Sequence, residues 1–198
     1  PSDEERQEAL ARVGFDQVKM DPAQRTVRFL RPGMELDLGG IGKGFALQKA
    51  MQHLKACGVE AGLLHSGHSS VVAWGEREWP IGLEHPFRPG ERVGVVLLKD
   101  RALSTSSLAE QRYVVGGETW GHLLDPRTGW PAKGLGSVTV IGTDAAEADA
   151  LSTALFVMGL EAAQEFLQQH PPWAGVLVPL EGGEPCPFGL QLQLAESP

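Results

Sequence analysis

The segment Asp-Leu-Gly-Gly-Ile-Gly-Lys-Gly at residues 37–44 combines residue types that could bind a charged ligand. Its glycines would let the backbone approach a ligand closely, and the N–H groups of the helix predicted to follow would attract an anion. The segment is not a Walker A loop, because Gly44 follows Lys43 where Ser or Thr is required, and it lacks the third glycine of the dinucleotide fingerprint. A strand-to-helix turn without a ligand is the alternative, but Asp37 and Lys43 favour a phosphate-bearing ligand.

His122 stands near the end of a predicted strand, residues 119–124, and three residues before the first residue of the turn sequence Asp-Pro-Arg-Thr-Gly at 125–129. An imidazole in that position could act as a general base near neutral pH. A single histidine is more often structural, and the turn by itself is typical of an aspartate that bonds its own backbone. Both interpretations of His122 remain open at this point.

Asp149 and Thr153 are four residues apart in a segment predicted to be helical, so they share one face of that helix. A carboxylate and a hydroxyl that point the same way suit a hard cation such as Mg²⁺. The alternative is a helix N-terminus that carries Asp144, Glu147 and Asp149 because they interact favourably with its dipole. The residues alone do not decide between the two.

Charge and hydropathy limit the partners of the chain. Its 198 residues carry a formal net charge of −8 at pH 7, which would repel the phosphates of nucleic acids and of anionic membranes. No stretch approaches the ~20 apolar residues that a membrane-spanning helix needs. We therefore expect neither a nucleic-acid partner nor a membrane span in this chain.

The remaining reactive residue types form no recognisable site. Cys57 and Cys186 match no metal spacing, a disulfide between them is not expected, and the helical pattern around Cys57 predicts a small buried side chain. His65 and His68 lack the further ligands of a zinc site. Ser69 does not stand in the Gly-x-Ser-x-Gly elbow of a serine hydrolase.

Periodicity and turn residues predict more strands than helices, which favours an α+β fold with a mostly antiparallel sheet packed with helices. The length favours a single domain over residues 1–198.

The start resembles the middle of a longer chain, with Ser2 and Glu5 forming a capping box and no initiating Met. The polar run 104–107 is predicted either as a strand end that could contact a ligand or simply as a turn. Helices are predicted at 2–13, 45–56, 145–158 and 160–169, and strands at 17–20, 26–30, 34–38, 62–64, 70–74, 80–83, 92–98, 119–124, 137–141 and 174–179, before a terminal hairpin ending near Leu194.

Five segments, in this order and spacing, resemble the ApbE family, the FAD:protein FMN transferases. They are the glycine-rich segment at 37–44, Ala-Leu-Ser-Thr-Ser at 102–106, His-Leu-Leu-Asp-Pro-Arg-Thr-Gly at 122–129, Ser-Val-Thr-Val-Ile at 137–141 and Ala-Asp-Ala-Leu-Ser-Thr-Ala-Leu at 148–155. The resemblance implies a T-fold-like α+β domain that moves FMN from FAD to a threonine of a target protein and releases AMP. Mg²⁺ would be required, and water in place of threonine would give FAD pyrophosphatase side activity.

The resemblance also assigns roles to individual residues. It implies that His122 is the base that deprotonates the acceptor threonine. It implies two further groups: FAD contacts from Asp37, Lys43, Leu123 and Ser106, and metal ligands from Asp149, Thr153 and the carbonyls of Gly40 and Ala146.

The chain also departs from the family pattern. Family members carry a longer N-terminal half that supplies part of the flavin pocket, so we expect this chain to be the C-terminal portion. Residues 65–70 stand where many members have Asn-x-Gly-Gly, and Ser107 replaces a usual glycine. These departures leave a non-catalytic flavin-binding or scaffold protein as the alternative function.

The resemblance also bears on partners and location. It implies an acceptor protein from a redox or respiratory complex. It further implies a location on the periplasmic side of the bacterial cell envelope, with a cytoplasmic location as the alternative.

Overall fold

The computed structural model describes residues 2–109, 112–115, 118–180 and 183–194. Its helices are α1 (Asp3–Leu10), α2 (Gly42–Ala56), α3 (Ala145–Met158) and α4 (Leu160–Gln169), with a 3₁₀ turn at Phe15–Gln17. Its strands are β1 (Val18–Asp21), β2 (Thr26–Phe29), β3 (Gly62–Ser66), β4 (Ser70–Trp74), β5 (Trp79–Glu84), β6 (Arg92–Leu98), β7 (Ala102–Ser107), β8 (Arg112–Val115), β9 (Glu118–Gly121), β10 (Leu135–Gly142), β11 (Ala174–Pro179), β12 (Cys186–Phe188) and β13 (Gln193–Leu194).

A six-stranded sheet in the order β12-β11-β10-β7-β4-β3 forms the centre of the protein, and all its neighbouring strands are antiparallel. Helices α2, α3 and α4 pack on one face. A three-stranded antiparallel sheet, β13-β6-β5, packs on the other face. The predicted α+β class with a mostly antiparallel sheet is therefore confirmed.

Successive side chains of β10 point to opposite faces of the sheet, so this strand contributes to two hydrophobic clusters. Val138 and Val140 face the helices and join a cluster with Leu155 of α3. Ile141 faces the other way and packs with Leu98 of β6. Because both faces are covered, β10 is buried along its whole length, including its polar residues Ser137 and Thr139.

The helix boundaries follow their caps. Asp144 caps α3 by accepting hydrogen bonds from the backbone N–H groups of Ala146 and Glu147, and Gly159 ends the helix. The bounds predicted for α3 and α4 are confirmed. The capping box of Ser2 and Glu5 is also present, but α1 ends at Leu10 and not at Val13, because the chain tightens into i→i−3 hydrogen bonds there.

Three further predictions about local structure were wrong. Residues 34–38 form no strand, since the carbonyl of Leu38 accepts the N–H groups of Ile41 and Gly42 in a turn instead of joining a sheet. The predicted terminal hairpin is absent from the described residues, because β12 pairs with β11 and β13 pairs with β6. Cys57 is exposed, because it caps α2 beyond the buried stripe of that helix.

The described residues also give two negative observations. Cys57 and Cys186 are both free thiols. Within the described ranges, no helix combines the length and the apolar character needed to cross a bilayer.

Candidate active site

A cleft of about 340 Å³ opens between the glycine-rich turn, the end of β7, the loop after β9 and α3. Every side chain or backbone segment predicted from the sequence for the site lines it, with the exception of Ala146. Its lining residues are Asp37, Gly39, Gly40, Lys43, Thr105, Ser106, His122, Leu123, Asp149 and Thr153. The structure therefore brings together segments that lie more than a hundred residues apart in the chain.

Asp149 lies at the bottom of the cleft and is only 4% exposed. Its Oδ1 accepts hydrogen bonds from the hydroxyls of Ser104 (2.8 Å) and Ser70 (3.4 Å), and its Oδ2 accepts the backbone N–H of Gly44 (2.8 Å). Because a carboxylate offers about four acceptor positions, these three bonds leave room for one further ligand. The alternative in which Asp149 merely interacts with the dipole of α3 does not explain this buried network.

The two serines reach Asp149 because of strand register. Ser70 of β4 pairs directly with Ser104 of β7, and their hydroxyls lie 3.1 Å apart. Both side chains project toward the helical layer, where α3 crosses the strands. Ser106, two residues further along β7, projects to the same face and its hydroxyl lies 3.1 Å from Oγ1 of Thr153. The polar run 104–107 is thus part of a strand that carries the floor of the cleft.

The glycine-rich turn approaches α3 from the opposite side. A Cβ atom on Gly40 would lie 3.5 Å from Oγ1 of Thr153, and a Cβ atom on Gly44 would lie 2.0 Å from the carbonyl oxygen of Ala145. Only glycine at position 44 permits α2 to cross α3 this closely. The backbone of Gly40, the hydroxyl of Thr153 and the carboxylate of Asp149 therefore converge.

The start of α2 supplies the positive side of the cleft. Helix α2 begins at Gly42 without a side-chain cap, so the positive end of its dipole points toward the cleft. The ammonium of Lys43 donates to Oγ of Ser69 at 2.6 Å. Asp37 is exposed at the mouth, where its carboxylate accepts the N–H of Gly39 at 2.6 Å. The arrangement suits a phosphate next to the helix start.

His122 follows the end of β9 and lines the cleft opposite α3. Its Nδ1 atom is buried and has no hydrogen-bond partner among the residues that the structure describes. The carbonyl of Leu123 accepts the N–H of Ala132 at 2.8 Å, which fixes the loop behind the imidazole. A buried ring nitrogen without a partner is costly.

The predicted turn after His122 is present and well fixed. Asp125 accepts the backbone N–H of Arg127 at 2.8 Å, and the guanidinium of Arg127 donates to both of its carboxylate oxygens. The pKa of Asp125 is held below its usual range, mainly by the side-chain bonds from Arg127 and to a smaller extent by the backbone bond. The turn is therefore a stable support for the loop that carries His122.

The oxygen atoms in the cleft fit Mg²⁺ better than a soft metal. In the described part of the chain, no group of three or more His, Cys, Asp and Glu side chains could hold a metal. A cation here would depend on the carboxylate of Asp149 and on neutral oxygens, an arrangement typical of Mg²⁺ sites completed by substrate phosphates. Ala146 lies in the first turn of α3 outside the cleft lining, and its role as a ligand stays a prediction.

Sequence reasoning missed the residues that hold Asp149 in place. Ser70, Ser104 and Gly44 donate its hydrogen bonds, and none of them was predicted to bond Asp149. One signal was present in the sequence. Ser104 and Ser106 alternate along a predicted strand end, so they share a face, and buried serines on one face of a strand require polar partners.

Comparison with known proteins places this geometry in a family. The sequence model of the ApbE family matches residues 1–177. The chain belongs to the ApbE family. The resemblance seen in the motifs is thereby confirmed.

Several relatives of the chain carry the same enzyme name. The FAD:protein FMN transferase of Klebsiella pneumoniae is 36% identical over 163 residues, which is 81% of this chain and 51% of the relative. The FAD:protein FMN transferase of Treponema pallidum is 32% identical over 190 residues, which is 86% of this chain and 52% of the relative. This ApbE-family chain therefore spans about half the length of the curated relatives that it matches.

A solved structure of the family shows the same fold. The crystal structure of the ApbE protein from Thermotoga maritima has a TM-score of 0.84 and 35% identity to this chain. The match covers 99% of this chain and 62% of the Thermotoga protein.

Proposed function

We propose that this chain carries the metal and phosphate site of a magnesium-dependent flavin transferase, which moves FMN from FAD to a threonine of another protein and releases AMP. The observation that carries the proposal is the convergence of Asp149, Thr153, the glycine-rich turn and His122 on one cleft. The names of the relatives give independent support for FAD as the donor and a protein as the acceptor.

The residues on the two sides of the cleft have different proposed roles, one in metal binding and the other in phosphate binding. Asp149, Thr153 and the carbonyl of Gly40 would hold Mg²⁺, while Lys43 and the start of α2 would receive the phosphates of FAD. When bound, Mg²⁺ would supply neutralisation of the charge that develops on the pyrophosphate oxygens during transfer. Ser104, Ser70 and Gly44 keep the carboxylate of Asp149 oriented by donating to it.

His122 is proposed as the general base. The threonine oxygen forms a bond to the FMN-side phosphorus, the bond from that phosphorus to the AMP phosphate breaks, and the hydroxyl proton passes to the imidazole. Water in place of threonine follows the same path and gives FMN and AMP. A positioned base of this kind contributes roughly 10²–10⁴ in rate.

The size of the cleft indicates which part of FAD this chain would hold. A volume of about 340 Å³ is near the lower limit of the roughly 300–1,000 Å³ typical of pockets for drug-sized ligands. We infer that the cleft holds the pyrophosphate and its neighbouring groups. The rest of the flavin pocket would come from the part of the family that this chain does not span.

Two measurements test the proposal. Titration calorimetry of FAD with Mg²⁺ compares the 198-residue chain with the full gene product, and equally tight binding by both would contradict the divided pocket. In the second measurement, the full gene product is incubated with FAD, Mg²⁺ and a threonine-bearing acceptor. AMP release together with flavin fluorescence on the denatured acceptor supports the transferase, whereas FAD binding without AMP release favours the non-catalytic alternative.

We further propose that the acceptor is part of a redox or respiratory complex on the periplasmic side of the cell envelope. The support is the family resemblance alone. In-gel flavin fluorescence of cell fractions with and without the gene identifies the compartment of the labelled acceptor. A labelled band that is lost only from the cytoplasmic fraction would contradict the envelope location.

A further inference from the structure

A second concave surface, of about 520 Å³, lies beside the cleft, and we call it the tryptophan groove. Its walls are formed by the loop after β9 and by the end of α3. Its lining residues are Trp120, Asp125, Arg127, Thr128, Trp130, Pro131, Lys133, Val157, Met158 and Gly159. None of these residues lines the cleft that contains His122 and Asp149.

The two surfaces share one wall. Trp120 lines the groove, His122 lines the cleft, and Asp125 lines the groove again. Hydrogen bonds between Asp125 and Trp130 and between Ala132 and Leu123 hold this loop together. A polypeptide whose threonine reaches His122 would therefore extend over the loop and meet the groove within a few residues.

The groove exposes side chains that are typical of protein-binding surfaces. Trp130 is 45% exposed and Met158 is 44% exposed. Exposed tryptophan and methionine are enriched in protein interfaces, where tryptophan often contributes much of the binding energy. The groove is thus suited to an apolar side chain.

The faces of the two tryptophan rings are partly occupied by cations. The ammonium of Lys133 lies 5.3 Å from the ring centroid of Trp120, and the guanidinium carbon of Arg6 lies 5.2 Å from that of Trp130. The rings are 6.0 Å apart and inclined by 33°. A flat isoalloxazine ring needs a free parallel face, so this geometry favours an irregular peptide side chain over the flavin itself.

The charge of the groove differs from that of the whole chain. The charged residues among its described lining are Asp125, Arg127 and Lys133, and Asp125 is paired with Arg127. No carboxylate among the described residues pairs with Lys133. The groove thus presents a cation in a chain of formal net charge −8, which favours an acidic ligand segment.

We propose that the tryptophan groove binds the acceptor polypeptide next to its threonine. An apolar side chain of the acceptor packs against Trp120 and Trp130, and an acceptor carboxylate pairs with Lys133. This inference rests on the proposed transferase function, because it takes His122 to mark the position of the threonine.

The test measures peptide binding to the 198-residue chain and to the full gene product. The probes are two fluorescein-labelled 12-residue peptides that contain one threonine and one leucine, one with flanking aspartates and the other with lysines in their place. We expect roughly tenfold tighter binding of the acidic peptide, and Lys133→Glu should abolish that preference. Trp130→Ala should weaken binding of the acidic peptide by roughly 30-fold.

Controls separate the groove from folding and from the chemistry. Lys55→Glu makes the same charge change at an exposed position of α2 and should leave the preference intact. Lys133→Glu should retain AMP release from FAD with water as the acceptor. If the parent protein releases no AMP, the transferase proposal is contradicted. The peptide titration still tests whether the groove binds an acidic peptide.

Three outcomes would overturn the groove proposal. The first is equal binding of both peptides, or binding of neither. The second is a weaker affinity for FAD in Lys133→Glu, which would make the groove part of the flavin pocket. The third is peptide binding to the 198-residue chain but not to the full gene product, which would show that another part of the protein covers the groove.

Discussion

The floor and the rim of the cleft are built in different ways. On the floor, the buried carboxylate of Asp149 accepts three hydrogen bonds from Ser70, Ser104 and Gly44. On the rim, Asp37 bonds only to its neighbour Gly39 among the hydrogen bonds observed, and Nδ1 of His122 has no partner among the described residues. The donors on the floor are in place as the chain folds, whereas the rim has an exposed carboxylate to offer to a ligand.

This difference follows from the cost of burying charge. A carboxylate that leaves water is destabilising unless hydrogen bonds compensate it, so the floor folds only if its donors are in place. The rim has no such network, because water satisfies the exposed carboxylate of Asp37 until a ligand arrives, while Nδ1 of His122 is buried without a partner among the described residues. Substitutions on the floor should therefore affect stability or metal binding, and substitutions on the rim should affect the rate alone.

The largest effect is expected for Asp149→Asn. The amide keeps the size of the side chain and can still bond Gly44 and Ser104, since a serine hydroxyl can accept as well as donate. It removes the carboxylate that would bind Mg²⁺, so we expect the Mg²⁺ concentration needed for half-maximal AMP release to rise by at least about 100-fold. Glu147→Gln removes an exposed carboxylate from the same helix and should have no effect. Unchanged Mg²⁺ dependence in Asp149→Asn would remove Asp149 from the metal site.

His122→Ala tests whether the imidazole at the rim takes part in the transfer reaction. We expect flavin transfer to the acceptor to fall by roughly 10²–10⁴ because the proposed base is lost, with Mg²⁺ dependence and the urea midpoint nearly unchanged. The control is His53→Ala, which removes an exposed imidazole from α2. Transfer at the full rate in His122→Ala would exclude His122 as the base.

Gly44→Ala tests whether the floor is set by the crossing of α2 and α3. Its Cβ atom would lie 2.0 Å from the carbonyl oxygen of Ala145 and 2.6 Å from Cβ of Asp149. We expect the free energy of unfolding, measured with urea, to fall by about 3 kcal/mol.

Gly42→Ala is the matched control for this substitution. Gly42 is in the same helix, and no atom lies within 4 Å of its added Cβ, so the variant should be stabilised by about 0.5–1 kcal/mol. Equal stability of the two variants would show that α2 can shift at its start.

The sequence predicted the features that depend on local chemistry. The bounds of α3 follow from the cap at Asp144 and from Gly159, which are both visible in the sequence. Asp149 and Thr153 were placed on one face because helical spacing is local. The position of His122 next to the turn at Asp125 follows from turn chemistry in the same way.

The features that depend on distant partners were missed. The register that places Ser70 opposite Ser104 joins two strands separated by 34 positions, and no local pattern encodes it. The failed strand at 34–38 has the same cause, because alternating residues such as Leu36 and Leu38 form a strand only when a partner strand is available. Cys57 was misplaced because its burial depends on where α2 ends.

The smallest effect is expected for Arg127→Ala, which changes the turn behind the rim. Arg127 holds the pKa of Asp125 below its usual range, so Asp125 adds stability at pH values above its unfolded pKa of about 3.9, and this stability is lost as the pH falls through the folded pKa. In Arg127→Ala the pKa of Asp125 should rise but stay somewhat low, because the backbone N–H of residue 127 still donates to it. NMR titration of the Asp125 carboxyl measures that shift directly.

The same substitution should affect stability only where Asp125 is ionised. Urea unfolding should show the variant to be slightly less stable than the parent near pH 7, with the difference shrinking as the pH falls through the folded pKa of Asp125, because protonated Asp125 no longer attracts a cation. A difference that persists undiminished at low pH would mean that Arg127 stabilises the turn mainly through its hydrogen bond to the carbonyl of Val157. In either case, transfer that depends on His122 should change far less than in His122→Ala, because the backbone bonds of the turn remain.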